Sequence, residues 1–348
     1  MLLVDINGGC MKKSEDGVNV IRCVALLMVF GFHYYLYNGY ANQPQQGVWM
    51  LFANVQRILF ISCNGLFMML TGYLKSDKPI NRHYFKCILT AVVTYIIVSA
   101  ISIPVRHFFL NESKSFYEWK QLFFEFGGAY YGWYIAMYIG LILISPILNT
   151  CVKHTEDNKL LILMTGLLIA ATSLSSLTEY SVFPDYWKIA YPMSYYMLGA
   201  VIKKLKPVVK TKWTILITAL IAFTTGLATL LSTDYTIANA TKYEFGSICI
   251  IFIVVCIFLM LYRIKLPKSL SKLAEFISRG TLPAYLLSNL TDAWIYKMVP
   301  AFHKPQLYFV GFILITVPTY IAWVTIGNGV SFVIGKMTVR DKKKRMVE

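Results

Sequence analysis

Charged side chains are scarce in this sequence, and their scarcity excludes an ordinary water-soluble domain. Asp, Glu, Lys and Arg make up 14% of the 348 residues, whereas hydrophobic residues make up 57%. Soluble domains carry roughly 25% charged residues. Acidic residues are the scarcest: there are 17 against 33 Lys and Arg, which gives a net charge of +16. The composition therefore predicts an integral membrane protein.

Cysteine and loop patterns that would indicate other classes are also missing. The seven cysteines form no C-x-x-C pair and no metal-ligand spacing, so neither a disulfide framework nor a metal site is expected. No cleavable signal precedes the first apolar run. The connections between apolar runs are short, about 25 residues at most. Any chemistry is therefore expected within the membrane-embedded bundle.

Apolar runs recur along the chain at the length that crosses a bilayer, roughly 20 residues. They predict an all-α polytopic helical bundle of about ten transmembrane helices. The runs lie near 18–37, 51–74, 84–105, 129–148, 159–177, 186–203, 213–232, 245–263, 281–299 and 306–335. Residues 1–17 are expected to form an N-terminal segment, 18–335 the transmembrane domain and 336–348 a basic tail.

The basic residues alternate in density from one connection to the next. Of the 33 Lys and Arg, 25 lie on one predicted face of the membrane and seven on the other. The positive-inside rule assigns the richer face to the cytoplasm, which predicts cytoplasmic termini and a multi-pass protein of the bacterial plasma membrane. Basic tracts between apolar runs are typical of contact with anionic lipid, so no nucleic-acid partner is expected.

Ionisable residues inside apolar runs are costly and are therefore functional candidates. Arg22 and His33 lie 11 residues apart in the first run. On a helix this spacing puts both on one face, roughly 16 Å apart along the axis. The arrangement suits a long ligand whose phosphate lies on Arg22 and whose reactive end reaches His33, a proton carrier near neutral pH. Two simpler interpretations stay open, a topology signal for Arg22 and a satisfied interior group for His33.

Arg57 is the third such residue, about six residues into the second run from its outer end. Its predicted depth is close to that of His33. It is expected to hold an anionic or polyhydroxyl acceptor, or else to extend its charge outward to the membrane surface.

Short motifs follow one another through the first six runs. They are Arg22-x10-His33 after Asn19-Val20-Ile21, Asn64-Gly-Leu-Phe-Met-Met-Leu-Thr71-Gly72-Tyr73-Leu74, Arg82-His-Tyr-Phe-Lys86, Gly132-Trp133-Tyr134-Ile-Ala-Met-Tyr138 with Ser145-Pro146-Ile147-Leu148, and Tyr195-Tyr196-Met-Leu-Gly199 with Lys203-Lys204. In this order they resemble the acyltransferase-3 family of polytopic membrane O-acyltransferases, which O-acetylate bacterial surface glycans. Thr71 stands where the family usually has Ser, and Lys86 where it has Arg.

The resemblance implies transfer of an acetyl or other acyl group from cytoplasmic acetyl-CoA to a hydroxyl of a cell-envelope glycan or lipid-linked sugar. It implies catalytic roles for His33, as general base or acyl relay, and for Arg22. The donor would contact Arg22, Arg82, Lys86, Thr71, Gly72 and Tyr73. The acceptor would contact Arg57, Trp133, Tyr34 and Asn64. No metal is implied.

Two other functions remain open at this point. The membrane half of membrane-bound serine racemases resembles the same family, so the chain is alternatively a module for amino-acid transport or binding within a larger fused enzyme. A non-catalytic lipid scaffold is a weaker alternative, because it leaves Arg22, His33 and Arg57 without a role. The oligomeric state is not determined by the sequence, and a homodimer is one alternative.

Overall fold

The computed structural model describes residues 15–127, 130–176, 182–231, 244–299, 302 and 304–344, without the side chains of 293, 297 and 337–344. Its regular structure within these ranges is helical throughout, as predicted. The α-helices are α1 (Asp16–Tyr37), α2 (Val48–Ile61), α3 (Cys63–Lys75), α4 (Lys86–Phe108), α5 (Phe116–Phe124), α6 (Trp133–His154), α7 (Asn158–Ser173), α8 (Tyr191–Leu205), α9 (Thr211–Leu231), α10 (Ile248–Leu261), α11 (Lys268–Arg279), α12 (Thr281–Met298), α13 (Tyr308–Gly311) and α14 (Val317–Lys344).

Seven segments of the described chain are long and apolar enough to cross a membrane. They are Asp16–Asn42, Val48–Lys75, Lys86–Phe108, Trp133–His154, Asn158–Ser176, Thr211–Leu231 and Pro305–Lys336. They agree with seven of the ten predicted runs. The runs predicted at 186–203, 245–263 and 281–299 also contain helices, namely α8, α10 and α12, but these fall outside the seven.

α8, α10 and α12 differ from the seven membrane-crossing segments in length or in hydropathy. α10 is highly apolar but has only 14 residues. α8 has 15 residues and begins with Pro192 at its N-terminus, after a short 3-10 turn over Asp185–Ala190. α12 is long enough, but it carries buried polar residues, among them Ser288, Asn289 and Asp292. Polar residues lower the hydropathy of a helix that packs inside a bundle, where protein rather than lipid surrounds it.

The second membrane segment is divided into two helices. α2 ends at Ile61 and α3 begins at Cys63, with Ser62 between them. The Ser62 hydroxyl donates to the Ile58 carbonyl one turn earlier (3.3 Å). A serine that bonds back to its own helix often bends it. Arg57 and Asn64 therefore lie on different helices, although the sequence predicts one continuous span.

Two glycines bring α3 and α8 into backbone contact. A Cβ atom on Gly72 would lie 2.0 Å from the Tyr196 carbonyl oxygen, and one on Gly199 would lie 1.9 Å from the Met69 carbonyl oxygen. Both distances are far below a van der Waals contact. The sequence motifs that contain Gly72 and Gly199 thus meet across one interface. At either glycine, any side chain larger than hydrogen would push the two helices apart.

α1 lies at the centre of the bundle and runs parallel to α12. At its start, the Asp16 carboxylate accepts hydrogen bonds from the Ser271 hydroxyl (2.5 Å) and the Leu266 backbone N–H (3.0 Å). The Asp16 end of α1 therefore lies against α11 and the segment just before it. We call this end of the bundle, which also carries Lys75, Lys203 and Arg279, the basic end, and the other the opposite end.

Candidate active site

His33 faces a carboxylate in the interior of the bundle, near the opposite end. Its Nδ1 lies 3.6 Å from Asp292 Oδ2 on α12. The two residues are 7% and 1% exposed, respectively. The Tyr131 hydroxyl donates a 2.8 Å hydrogen bond to the same Asp292 oxygen. A buried imidazole, a buried carboxylate and a phenol are thus brought together from α1, α12 and the segment just before α6.

Stacked aromatic rings hold the imidazole in place. The His33 ring lies on the Tyr131 ring, with centroids 4.0 Å apart and planes within 12°. Tyr285 stacks next in line, and its hydroxyl donates to the Tyr131 backbone carbonyl (3.0 Å). His33 Nδ1 is fully enclosed and lacks a hydrogen bond within the described part of the chain, whereas Nε2 is not enclosed in this way. The ring is therefore fixed with Nδ1 toward Asp292, and Nε2 is the ring nitrogen that is not fully enclosed.

A second buried network lies one turn from Asp292 on α12. Arg106 of α4 donates to Asn289 Oδ1 (2.6 Å) and forms an ion pair with Glu112 (2.8 Å). Its guanidinium lies over the Tyr130 ring at 3.4 Å, and the Tyr130 hydroxyl donates to Glu112 (2.8 Å). Because Tyr130 is the neighbour of Tyr131, this network anchors the chain segment that positions the phenol.

Arg22 is buried toward the basic end, on the same helix as His33. Its Nη1 donates to the Ser278 hydroxyl (2.9 Å), where α11 passes into α12. Its Nε is enclosed and has no partner among the described residues. Tyr138 is close enough to interact with it electrostatically. Arg22 and His33, which share one predicted face of α1, thus both face the stretch of chain that forms α11 and α12. Arg22 bonds Ser278 near the end of α11, and His33 faces Asp292 on α12.

A polar cluster that the sequence did not single out lies between α3, α4, α6 and α8. Lys75 Nζ donates to the Tyr84 carbonyl (2.6 Å) and contacts Cys87 Sγ (3.1 Å). The Tyr84 hydroxyl bonds Ser145 (2.6 Å), and Asn149 donates to it (3.1 Å). These groups are buried at the basic end. Burial of so many polar groups is tolerated because they bond one another.

The residues that the resemblance implies as donor contacts lie in two different environments. Arg82 and Lys86 are exposed at the basic end, before and at the start of α4. Thr71 is buried and donates to the Phe67 carbonyl of its own helix (2.8 Å). Gly72 faces the backbone of α8. The Tyr73 ring packs near Phe258 and Tyr262 on one side and Lys203 on the other.

Two of the expected acceptor contacts are connected to His33 through its chain neighbour Phe32. The guanidinium of Arg57 lies 5.9 Å from the Phe32 ring and 5.4 Å from the Tyr40 ring. Trp133 is 41% exposed and lies 5.9 Å from Phe245, which in turn lies 5.4 Å from Phe32. The other two do not join them. Tyr34 packs among Tyr35, Tyr296 and Tyr308 in a separate aromatic core, and Asn64 is buried on α3.

Asp292 and Tyr131 are the site residues that the sequence interpretation missed. Asp292 carried a usable signal, since it is the single Asp or Glu within the ten predicted apolar runs. An acidic residue there is a functional candidate by the same reasoning that selects Arg22. Tyr131 carried none, because it is one of 24 tyrosines and lies just before the start of a helix.

The described ranges contain no group of three or more His, Cys, Asp or Glu side chains placed to hold a metal ion. Comparisons with curated proteins and with solved structures gave no match. A family model described as an acyltransferase domain matches residues 15–327, nearly the whole chain and all of the site described above. The chain is therefore a membrane acyltransferase of the acyltransferase-3 family.

Proposed function

We propose that the protein transfers an acyl group, such as acetyl, from cytoplasmic acyl-CoA to a hydroxyl of a cell-envelope glycan or lipid-linked sugar. The observation that carries this proposal is the buried pair of His33 and Asp292, with 3.6 Å between Nδ1 and Oδ2. At this distance the carboxylate forms no hydrogen bond with the imidazole, but its negative charge favours a proton on Nδ1 and stabilises the imidazolium when it forms. Nε2 is then free to accept a proton.

The reaction follows from this assignment. The acceptor hydroxyl attacks the thioester carbonyl carbon while His33 Nε2 takes the hydroxyl proton. The tetrahedral intermediate then collapses, the C–S bond breaks, and His33 returns the proton to the leaving thiolate. The products are the acyl ester and CoA with a free thiol. The alternative is an acyl group carried briefly on Nε2, which requires the same Asp292 support.

The donor is proposed to enter from the basic end, which the positive-inside rule assigns to the cytoplasm. Arg22 donates to Ser278 through Nη1, and among the described residues its Nη2 is neither bonded nor fully enclosed, so it retains donor capacity for a phosphate group. His33 lies roughly 16 Å further along α1, which suits a donor whose thioester is far from its phosphates. Arg82 and Lys86, exposed at the same end, are proposed to attract the anionic donor.

The test is acyl transfer by the purified full chain in lipid nanodiscs, with acetyl-CoA and a panel of envelope sugars. We expect release of free CoA thiol together with ester formation on a sugar. His33→Ala is expected to lose at least about 100-fold in kcat, since it removes the general base.

His154→Ala is the matched control. His154 is exposed at the end of α6, and its hydrogen bond within the described residues is to its own helix, at the Thr150 carbonyl (3.0 Å). Activity of this variant is expected to equal that of the wild type. Full transfer by folded His33→Ala protein would contradict the proposed mechanism, and absence of thiol release with every acceptor would contradict the proposed function.

A further inference from the structure

Arg57 is a buried cation that forms no hydrogen bond with the described residues. Its side chain on α2 is 7% exposed, and within the described part of the chain it donates to no oxygen. A guanidinium has five N–H donors, and none of the Arg57 nitrogens is among the fully enclosed unpartnered atoms of the described residues, so these donors reach accessible space. By contrast, Arg22 and Arg106, buried on α1 and α4, both donate to side-chain oxygens. The difference indicates that Arg57 faces a group that is supplied from outside the protein.

The surroundings of Arg57 stabilise its charge without using its donors. The Phe32 and Tyr40 rings lie near its guanidinium carbon, at 5.9 and 5.4 Å, where ring electrons favour a cation. Tyr40 is itself fixed, because its hydroxyl donates to Asn54 Oδ1 (2.6 Å) and Asn54 donates to the Gly226 carbonyl (3.3 Å). The position is therefore built by α2, α9 and the turn after α1.

Glu244 is a carboxylate that interacts electrostatically with Arg57 without binding its N–H groups. Glu244 is close enough to interact electrostatically with Arg57, but it forms no ion pair with it in the described ranges. It is exposed at the opposite end, before α10. Glu244 therefore offsets part of the buried charge while the planar guanidinium remains able to bind a second anion in a bidentate manner.

Aromatic rings connect Arg57 to the catalytic pair. Phe32 lies between them, with its ring centroid 5.9 Å from that of His33. From Phe32 the rings continue through Phe245 (5.4 Å) to Trp133 (5.9 Å), which is partly exposed. Rings of this kind bind the apolar faces of polyhydroxyl molecules, while a charged residue fixes their orientation.

We infer that the acyl acceptor is an anionic polyol, whose carboxylate or phosphate binds Arg57 while one of its hydroxyl groups reaches His33. This inference rests on the proposed function and narrows its acceptor class. An uncharged sugar would bind the rings of Phe32, Phe245 and Trp133 but would leave the Arg57 donors without an anionic partner. An anionic one would supply the hydrogen-bond acceptor that Arg57 does not find among the described residues.

The test compares three acceptors of matched length with the purified full chain and acetyl-CoA: a neutral glucan oligomer, a hexuronic acid oligomer and a glycerol phosphate oligomer. We expect kcat/KM for at least one anionic acceptor to exceed that for the neutral one about 10-fold or more. Arg57→Gln should lower kcat/KM for that acceptor about 30-fold, chiefly through KM, and should leave the neutral one within about twofold. The two anionic acceptors distinguish a carboxylate from a phosphate.

Two further variants make the result specific. Arg57→Lys keeps the charge but loses the planar fork, so an intermediate loss is expected. Arg279→Gln removes an exposed arginine that pairs with Glu275 at the basic end, and no change is expected. If Arg57→Gln does not fold, Arg57→Lys and the preference of the wild type carry the test.

The inference is overturned if the neutral oligomer is used as well as both anionic ones, or if Arg57→Gln weakens charged and neutral acceptors equally. Failure of the proposed function gives a different result. In that case folded wild-type protein releases no CoA thiol with any of the three acceptors, and the narrower inference is rejected together with it.

Discussion

His33 on α1 and Asp292 on α12 face each other at 3.6 Å, and the hydroxyl of Tyr131 bonds the same carboxylate oxygen at 2.8 Å. The carboxylate thus faces Nδ1 of the imidazole and is itself held by the hydrogen bond from the phenol. Such outer partners determine how well a catalytic histidine works, because they fix its tautomer and its direction.

The first prediction concerns this relationship. Asp292→Asn is expected to lower kcat about 100- to 1,000-fold, because the amide cannot stabilise an imidazolium. Tyr131→Phe removes one hydrogen bond but keeps the stacked ring, so a loss of about 3- to 10-fold is expected. Thiol release at saturating acyl-CoA measures both. Asp77→Asn, an exposed carboxylate 3.8 Å from Lys203, is the control and should leave kcat unchanged. Full activity of Asp292→Asn would exclude the carboxylate from the mechanism.

The second prediction concerns the donor end of α1. Arg22→Ala is expected to raise KM for acetyl-CoA about 10-fold or more, because a charge-assisted bond to phosphate is lost. Ser278→Ala should raise it only about twofold to threefold, since Ser278 orients Arg22. A truncated donor, S-acetyl-pantetheine, lacks the phosphates and is expected to respond little to either change. Equal losses with both donors would show that Arg22 acts on something other than phosphate.

The third prediction concerns the contact of α3 with α8. Gly72→Ala and Gly199→Ala each place a methyl group about 2 Å from a carbonyl oxygen, so each should destabilise the protein by about 1–3 kcal/mol or more. Thermal unfolding in detergent measures the loss. Gly140→Ala on α6 is the control, because nothing lies within 4 Å of its Cβ position and the helix gains from alanine. A wild-type melting temperature for Gly72→Ala would contradict the close approach.

The fourth prediction concerns the network around Arg106. Glu112→Gln leaves a buried guanidinium without its ion partner, at a cost of about 1–3 kcal/mol. Arg106→Met removes the charge itself and should cost less than Arg106→Ala, because Met fills more of the volume. Chemical unfolding and kcat are both measured. We expect kcat to fall as well, because this network anchors the segment that carries Tyr131. Unchanged kcat in a destabilised Glu112→Gln protein would limit the network to a structural role.

Periodicity and charge in the sequence were sufficient to locate the helices. Helices occur at all ten predicted runs, because apolar length is a local property that a window of sequence reports directly. The division at Ser62 was missed because it depends on a serine that bonds its own backbone, which hydropathy does not record. The apolar run at 18–37 predicted correctly that Arg22 and His33 lie on one helix, and both are buried on α1.

The side chains that contact His33 could not be predicted from nearby sequence. Asp292 meets His33 only when α12 packs beside α1, and no spacing rule relates two helices so distant in the chain. Its acidic character inside an apolar run was visible, but its partner was not. The role of Tyr131 is harder still to predict from the sequence, since it depends on where a loop places one phenol among many. The charge placement predicts an orientation in the membrane, which stays a prediction.

Arg22 and His33 contact the same stretch of chain, Ser278 and Asp292, at two heights along a pair of parallel helices. These two contacts fix the distance between Arg22 and His33, which are the two ends of the site. One extra residue inserted into α1 between the two would turn His33 by about 100° away from Asp292 while leaving Arg22 on Ser278. Every side chain of the site would still be present, yet the distance and direction from the phosphate end to the imidazole would be lost.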